Sequence, residues 1–220
     1  MNFTGAHILS INQLQREDVD RIFAVADQME PYALRKRVTR VLEGAILGNM
    51  FFEASTRTRV SFGSAFNLLG GEVRETAGFE NSALVKGESL QDTARVLSGF
   101  SDVICMRHPE AGSVADFATA SRVPVINGGD GANEHPTQAL LDLYTIRKEL
   151  VDKDRTIDGM SIAMIGDLRH GRTVHSLGKL LSLYNNTHVV LISPAELALP
   201  ESLIESMRSS GVEVTVSHEM

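Results

Sequence analysis

The 220-residue chain has an ordinary globular composition and an acidic balance, and both features exclude classes of protein. Apolar residues make up 43% of the chain and charged residues 22%, which rules out wholesale disorder. The 28 acidic residues outnumber the 21 basic ones, so a net charge of −7 argues against a nucleic-acid-binding surface. Any anion that binds must therefore be held by a local cationic pocket.

The sequence also indicates the cellular compartment and the chemistry open to cysteine. No apolar run approaches the 18 residues of a transmembrane helix, so we expect no membrane span. The first residues lack the basic-then-apolar pattern of a signal peptide, which makes the cytoplasm the expected compartment. The single cysteine, Cys105, can form neither an internal disulfide nor a structural zinc site.

Strand and helix patterns alternate through the first 150 residues. Asn12 with Gln15 three residues later is typical of a helix start, and Gly70-Gly71 is suited to end a helix. Such alternation predicts a parallel sheet with helices on both faces, and only a loop between residues 71 and 89. The predicted strands are residues 45–52, 103–106 and 123–126, and the predicted helices begin at residue 12, cover 62–69 and 90–97, include 117–118 and begin again at 136.

A second unit follows the charged stretch at residues 152–155. Its pattern is again strand, helix, strand, helix, strand, and we therefore predict an α/β fold with two parallel-sheet domains, residues 1–150 and 151–220. The predicted strands are residues 161–165, 188–192 and 212–216, and the predicted helices are 174–184 and 200–207.

The first polar cluster, residues 53–59, reads EASTRTR and lies between a predicted strand and a predicted helix. Helix N–H groups, hydroxyls and the guanidiniums of Arg57 and Arg59 are expected to converge there, a combination that suits a phosphate. A Ser/Thr-rich helix cap with surface arginines is the simpler alternative. Two arginines at a helix N-terminus oppose its dipole, however, and an anion would explain them. We therefore predict an anion site.

Two further clusters also follow predicted strands. By itself, Arg107 followed by His108 is most simply explained as a solvated loop. His135, at the start of a predicted helix, could cap that helix or could donate a hydrogen bond to a developing negative charge. The residues alone do not decide between these two roles.

Other features are less informative. A lysine such as Lys86, in a loop with Ser82, is most often solvated. The glycines of residues 166–171 lack the spacing of a dinucleotide fingerprint. The chain has no Walker A motif, no paired histidine ligands and no G-x-S-x-G elbow, so the sequence gives no support for ATP, metal or acyl-serine chemistry.

Taken together, these segments resemble the transcarbamoylases, and most closely the aspartate carbamoyltransferase branch of that family. The resemblance extends over essentially all 220 residues. It is carried by FFEASTRTR at 51–59, RHP at 107–109 and HPTQ at 135–138, in the expected order, while ALLDLY at 139–144 and GDLRHGRTVHS at 166–176 favour aspartate over ornithine as acceptor.

The resemblance implies transfer of a carbamoyl group from carbamoyl phosphate to the α-amino group of L-aspartate, with no cofactor and no metal. It implies that Thr58, Arg107 and His135 donate to the carbonyl oxygen as charge develops there. Gln138 would hold the carbamoyl amide. The phosphate would be bound by Ser55, Thr56, Arg57, Thr58 and Arg107.

The resemblance also has implications for assembly and for the second substrate. The loop with Ser82 and Lys86 would reach the site of a neighbouring subunit in a homotrimer, and whether regulatory chains join that trimer is left open. Arg172 and Thr173 would meet the aspartate, and a contact between Glu53 and Arg172 would hold the two domains closed.

The family pattern continues beyond the position of residue 220. The resemblance therefore implies that residues 1–150 form the carbamoyl-phosphate domain and that residues 151–220 form an incomplete aspartate domain. Two alternatives to an aspartate carbamoyltransferase remain. One is a truncated chain that binds carbamoyl phosphate or assists assembly without turnover. The other is an ornithine carbamoyltransferase, which the sequence at residues 172–175 disfavours.

Overall fold

Two parallel β-sheets organise the chain in the computed structural model, which describes residues 1–78, 87–131 and 133–219. The first sheet contains β1 (Ile46–Phe51), β2 (Glu72–Ala77), β3 (Val103–His108) and β4 (Val125–Asp130), and the second contains β5 (Ser161–Ile165), β6 (His188–Ile192) and β7 (Glu213–Ser217). The strand orders are β2-β1-β3-β4 and β5-β6-β7, and every pairing is parallel. The predicted α/β class with two parallel sheets is confirmed.

Helices connect the strands and cover the sheets. None of the helices that the structure describes is both long and apolar enough to cross a membrane. The helices are α1 (Arg16–Ala33), α2 (Thr56–Leu68), α3 (Leu90–Leu97), α4 (Ser113–Ala120), α5 (Pro136–Val151), α6 (Arg172–Leu181) and α7 (Glu201–Ser209).

Strand β2 corrects the prediction that only a loop connects the second and third helices. It pairs with β1 along its whole length, at the edge of the first sheet. Its sequence, EVRETA, has no continuous apolar run because an edge strand is not buried like a central strand of a parallel sheet. A search for apolar runs therefore passes over it.

The first helix begins at Arg16, so the start predicted at Asn12 was wrong. Two capping patterns follow each other here. Ser10 caps a short 3-10 turn and accepts a hydrogen bond from the Asn12 backbone N–H at 3.1 Å. Gln15 then occupies the N-cap of α1, and its own N–H donates to Asp18 at 2.9 Å. Asn12, at which the sequence pattern places the helix start, therefore lies inside the 3-10 turn.

The largest hydrophobic cluster contains residues from both halves of the chain. Phe23 of α1 and Leu143 of α5 belong to the same buried cluster as Leu180 of α6, Leu191 of β6 and Ile204 of α7. Smaller clusters accompany the first sheet. The largest apolar cluster therefore joins helices of the first half of the chain to the second sheet, while strands of the first sheet pack in the two smaller clusters.

The strand order places a crevice beside β1. The chain passes from β1 to β2 on one side, while β3 pairs with β1 on the other side. The carboxyl ends of β1 and β3 therefore meet where the strand order reverses, which is where open α/β sheets bind their ligands.

Candidate active site

A cavity of about 900 Å³ lies at the carboxyl ends of β1 and β3 and extends to the first turn of α6. Among the predicted site residues, Ser82 and Lys86 lie outside the described residues, and Glu53 lies behind two of the lining arginines. The predicted residues that line the cavity are Ser55, Thr56, Arg57, Thr58, Arg107, His135, Gln138, Arg172 and Thr173.

Three helices begin at this cavity. Their first residues are Thr56 of α2, Pro136 of α5 and Arg172 of α6, and none of the three has an acidic residue in its first turn. The positive ends of three helix dipoles therefore converge without an internal counter-charge, which favours a bound anion. The other four α-helices that the structure describes each carry acid in the first turn, at Glu17 and Asp18, Asp92, Asp116 and Glu201.

Glu53 brings two of the cavity guanidiniums together. Arg107 is buried, with 8% of its surface exposed, and its Nε donates to Glu53 Oε2 at 3.0 Å. Arg172 Nη2 lies 3.5 Å from the other oxygen of the same carboxylate, and Arg172 also donates to the Gly131 carbonyl. One carboxylate thus faces two guanidiniums, and the cavity keeps an excess of positive charge for an anionic ligand.

The two arginines of the first polar cluster point to different places. Arg57 lines the cavity and makes no ion pair with any residue that the structure describes. Arg59 instead donates to Glu75 Oε2 of β2 at 2.9 Å. The expectation that both guanidiniums converge on one anion was therefore wrong for Arg59, because the edge strand that carries its partner was not predicted.

His135 occupies the N-cap of α5 and is 6% exposed. Burial, followed by the positive charges of Arg107 and Arg172, lowers the pKa of His135 to about 4. The imidazole is therefore neutral at physiological pH, and it can donate one hydrogen bond into the cavity when its other nitrogen accepts one. Thr137 Oγ1 lies 3.4 Å from Nδ1, in position to be that partner.

Gln138 lies on the first turn of α5, with its amide held by a neighbouring helical residue. Its Nε2 donates to Asp142 Oδ1 at 2.8 Å. Burial raises the pKa of Asp142, and the hydrogen bond from Gln138 opposes that rise. This bond fixes the orientation of the Gln138 amide beside the cavity.

Sequence reasoning missed the carboxyl end of β4 and the turn that begins there. Asp130 is buried, and its carboxylate accepts hydrogen bonds from Gly112 N at 2.9 Å and from Glu134 N at 3.2 Å. Gly129 has φ +115°, and a Cβ there would lie 3.0 Å from Arg107 Nη1. The signal that could have identified this segment is the GGDG sequence at residues 128–131, which is typical of a tight backbone turn.

No group of three or more His, Cys, Asp or Glu side chains is arranged to hold a metal ion in residues 1–78, 87–131 and 133–219. The polar groups around the cavity are guanidinium, hydroxyl, amide and imidazole groups, apart from the paired carboxylate of Glu53. This set suits anionic small molecules with a carbonyl group more than it suits a cation.

Comparison with known proteins finds one family. Residues 6–148 match the family described as aspartate/ornithine carbamoyltransferase, carbamoyl-P binding domain. The aspartate carbamoyltransferase catalytic subunit of Cellvibrio japonicus is 76% identical over all 220 residues, which correspond to 65% of the length of that relative. The chain therefore spans slightly less than two thirds of this curated relative.

Solved structures give the same grouping. The catalytic subunit of M. jannaschii aspartate transcarbamoylase has a TM-score of 0.89 at 45% identity, over 97% of this chain and 69% of that one. The aspartate transcarbamoylase of Trypanosoma cruzi, in complex with carbamoyl phosphate and aspartate, has a TM-score of 0.89 at 40% identity, over 97% of this chain and 67% of that one.

Proposed function

The chain belongs to the aspartate/ornithine carbamoyltransferase family, and on that premise we propose that it transfers the carbamoyl group of carbamoyl phosphate to the α-amino group of L-aspartate. The products are N-carbamoyl-L-aspartate and phosphate. The observation that carries the proposal is the convergence of three helix N-termini and three guanidiniums on one cavity that also contains a neutral imidazole.

The phosphate group binds at the start of α2. Hydroxyls of the STRT sequence at 55–58, backbone N–H groups of the first helical turn and the guanidinium of Arg57 provide donors on one side. Arg107 provides donors on the other side, with its guanidinium oriented by Glu53. Such a site holds the phosphate in the ground state and in the transition state alike, so it contributes mainly to affinity.

The carbonyl group is polarised by Thr58, Arg107 and His135. The α-amino nitrogen of aspartate attacks the carbonyl carbon, a C–N bond forms, and negative charge develops on the carbonyl oxygen. Collapse of this intermediate breaks the bond from carbon to the phosphate oxygen, and the phosphate accepts the proton that the amine loses. Each donor to the developing charge contributes about 2–4 kcal/mol to transition-state stabilisation.

The charge of the second side of the cavity favours aspartate over ornithine. Arg172 and Thr173 lie at the start of α6, where the helix dipole is positive. A guanidinium at this position attracts the side-chain carboxylate of aspartate and repels the side-chain ammonium of ornithine. The same arginine contacts Glu53 behind the phosphate side, and we assign this contact to domain closure.

A homotrimer with shared sites is part of the proposal. Ser82 and Lys86, outside the described residues, serve the site of a neighbouring subunit. The test mixes inactive Lys86→Ala and inactive His135→Ala subunits of a full-length relative. Recovered activity supports sharing, because some mixed sites then contain both residues. Activity that stays at the level of the separate variants, with subunit exchange verified, contradicts it.

The activity itself is tested by phosphate release. Carbamoyl phosphate is incubated with this chain, and with a full-length relative, in the presence of aspartate, of ornithine or of neither. Release that depends on aspartate supports the proposal, and release that depends on ornithine reverses the choice of acceptor. Ligand binding without turnover in this chain, beside turnover in the relative, supports the alternative of a non-catalytic binding chain.

Roles within the site are tested by Arg57→Ala and His135→Ala, with the exposed Arg37→Ala as a matched control. We expect Arg57→Ala to weaken carbamoyl phosphate binding on the order of 100-fold in calorimetry. His135→Ala should lower turnover by about the same factor with a much smaller loss of affinity. Equal losses of affinity in both variants would contradict this division.

A further inference from the structure

One face of α6 contacts the segment that carries His135. Arg172, Ser176 and Lys179 follow each other at spacings of four and three residues, so they lie on the same side of the helix. Ser176 is fully buried, and its hydroxyl accepts a hydrogen bond from the His135 backbone N–H at 3.3 Å. Lys179 Nζ donates to Glu134 Oε1 at 2.6 Å. These contacts connect α6 to the histidine through its backbone.

Glu134 joins three segments of the chain. Glu134 is 4% exposed, and its carboxylate also accepts hydrogen bonds from Ser10 Oγ at 2.9 Å and from Ile11 N at 2.9 Å. A buried carboxylate needs such partners, and it holds its neighbours in place because leaving it unpaired is unfavourable. The carboxylate therefore fixes the backbone next to His135 against the N-terminal turn on one side and α6 on the other.

We propose that the ion pair between Glu134 and Lys179 positions His135 relative to Arg172, and so matches the carbamoyl side of the cavity to the acceptor side. This inference rests on the proposed function. Neither member of the pair lines the cavity, so both are positioning residues and not catalytic residues. The helix that brings Arg172 to the acceptor also carries the lysine that anchors the histidine segment.

The phosphate side should not depend on this pair. Residues 55–58 are carried by β1 and α2, and in the described part of the chain neither Ser176 nor Lys179 forms a hydrogen bond with them. Loss of the pair should therefore weaken contacts with a carbonyl or amide group while leaving phosphate contacts unchanged. If the pair contributed only to stability, its loss would not affect carbonyl or amide contacts and phosphate contacts differently.

The test compares inorganic phosphate with phosphonoacetamide, a probe that carries a phosphonate and a carbonyl amide. Lys179→Met removes the charge of a partly exposed side chain while keeping most of its length. We expect about tenfold weaker binding of phosphonoacetamide and less than about twofold change for phosphate, because small displacements of a positioned group have large effects. Lys179→Arg keeps the charge and should bind both probes as wild type does.

Controls separate this inference from the proposed function. Lys148→Met removes a more exposed lysine–glutamate pair, with Glu30 at 2.9 Å, outside the cavity lining and should change neither affinity. Arg57→Ala tests the proposed function, which fails if this variant binds phosphate as wild type does or if wild type binds neither probe. The His135 backbone amide resonance is a second readout that does not depend on ligand binding: a shift in Lys179→Met, absent from Lys148→Met, supports positioning. An unchanged resonance, or equal loss of both probes, overturns it.

Discussion

His135 is a residue whose charge state is set by side chains from other elements. It is buried at the start of α5, and the guanidiniums of Arg107 and Arg172 disfavour its protonated form. A neutral imidazole leaves the positive charge of the cavity to the arginines. In the proposed reaction it would also provide a hydrogen-bond donor whose contribution grows as charge develops on the substrate carbonyl.

Stability should depend on pH through this histidine. Its pKa is lowered from 6.5 to about 4 in the folded state, so between these values the unfolded chain binds more protons. The contribution of the neutral His135 imidazole to the unfolding free energy is fully present above pH 6.5, and it is lost as pH falls towards 4. From pH 7 to 4.5, wild type should lose about 2 kcal/mol more unfolding free energy than His135→Gln, measured by urea denaturation. Identical losses in the two proteins would contradict the assigned cause.

Gly129 should be required for the site itself. A Cβ at this position would lie 3.0 Å from Arg107 Nη1 and 3.4 Å from His135 Cδ2. At Gly159, which also has positive φ, a Cβ would meet nothing within 4 Å. We expect alanine to cost roughly 1–2 kcal/mol of stability at either position because of backbone strain. Only Gly129→Ala should weaken phosphate binding in calorimetry. Equal binding by the two variants would show that the contact with Arg107 is unimportant.

At the scale of secondary structure elements, the helices that begin at the cavity differ from the rest. An acidic residue in the first turn stabilises a helix, and α2, α5 and α6 lack one. The N-termini of these helices therefore lack the stabilisation that a negative charge would provide. A bound anion would supply the missing negative charge, and among the α-helices that the structure describes the pattern occurs only in those that meet the cavity.

A negative charge at the start of α2 should separate stability from binding. Thr56→Asp places a carboxylate at the first helical position, and Thr56→Asn removes the same hydroxyl without adding charge. We expect the aspartate variant to be more stable than the asparagine variant by about 0.3–1 kcal/mol in thermal or urea unfolding. Its phosphate affinity should nevertheless be much lower. Similar affinities in the two variants would argue against an anion at this helix start.

At the scale of the whole molecule, the largest apolar cluster of the described residues contains side chains from both halves of the chain. Residues of α1 and α5 pack in the same buried cluster as residues of α6, β6 and α7. Ion pairs reinforce the contact, including Arg16 with Asp158 and Lys179 with Glu134. The chain should therefore unfold as one cooperative unit, although its two sheets are not hydrogen-bonded to each other.

Leu180→Ala tests this cooperativity. Leu180 is fully buried in the common cluster, so its truncation should lower the unfolding free energy by about 2–5 kcal/mol. Hydrogen exchange should accelerate equally at amides of α5 and of β6, because both depend on the same opening. Val151→Ala, at a 59% exposed position, serves as the control and should change little. Acceleration confined to β6 would indicate two independently unfolding parts.

The sequence by itself determined the order of buried strands, most helices and the polar segments that line the cavity. Buried parallel strands such as β1 and β3 are short apolar runs, and most helices carry apolar residues at helical spacing, so both signals lie within a few neighbouring positions. The segment around Ser55 and the segment at His135 follow such strands directly. Because each segment directly follows a strand along the chain, its place at the carboxyl edge of the sheet can be predicted from the sequence.

Only the tertiary structure decided which of these residues meet. Arg59 and Glu75 are 16 positions apart, Glu134 and Lys179 are 45 apart, and Glu53 and Arg107 are 54 apart. No local pattern encodes such pairs, because they depend on strand order, on an edge strand without an apolar run, and on how α6 packs against the segment after β4. The neutral state of His135 has the same origin, since burial and distant charges arise only when the chain is folded.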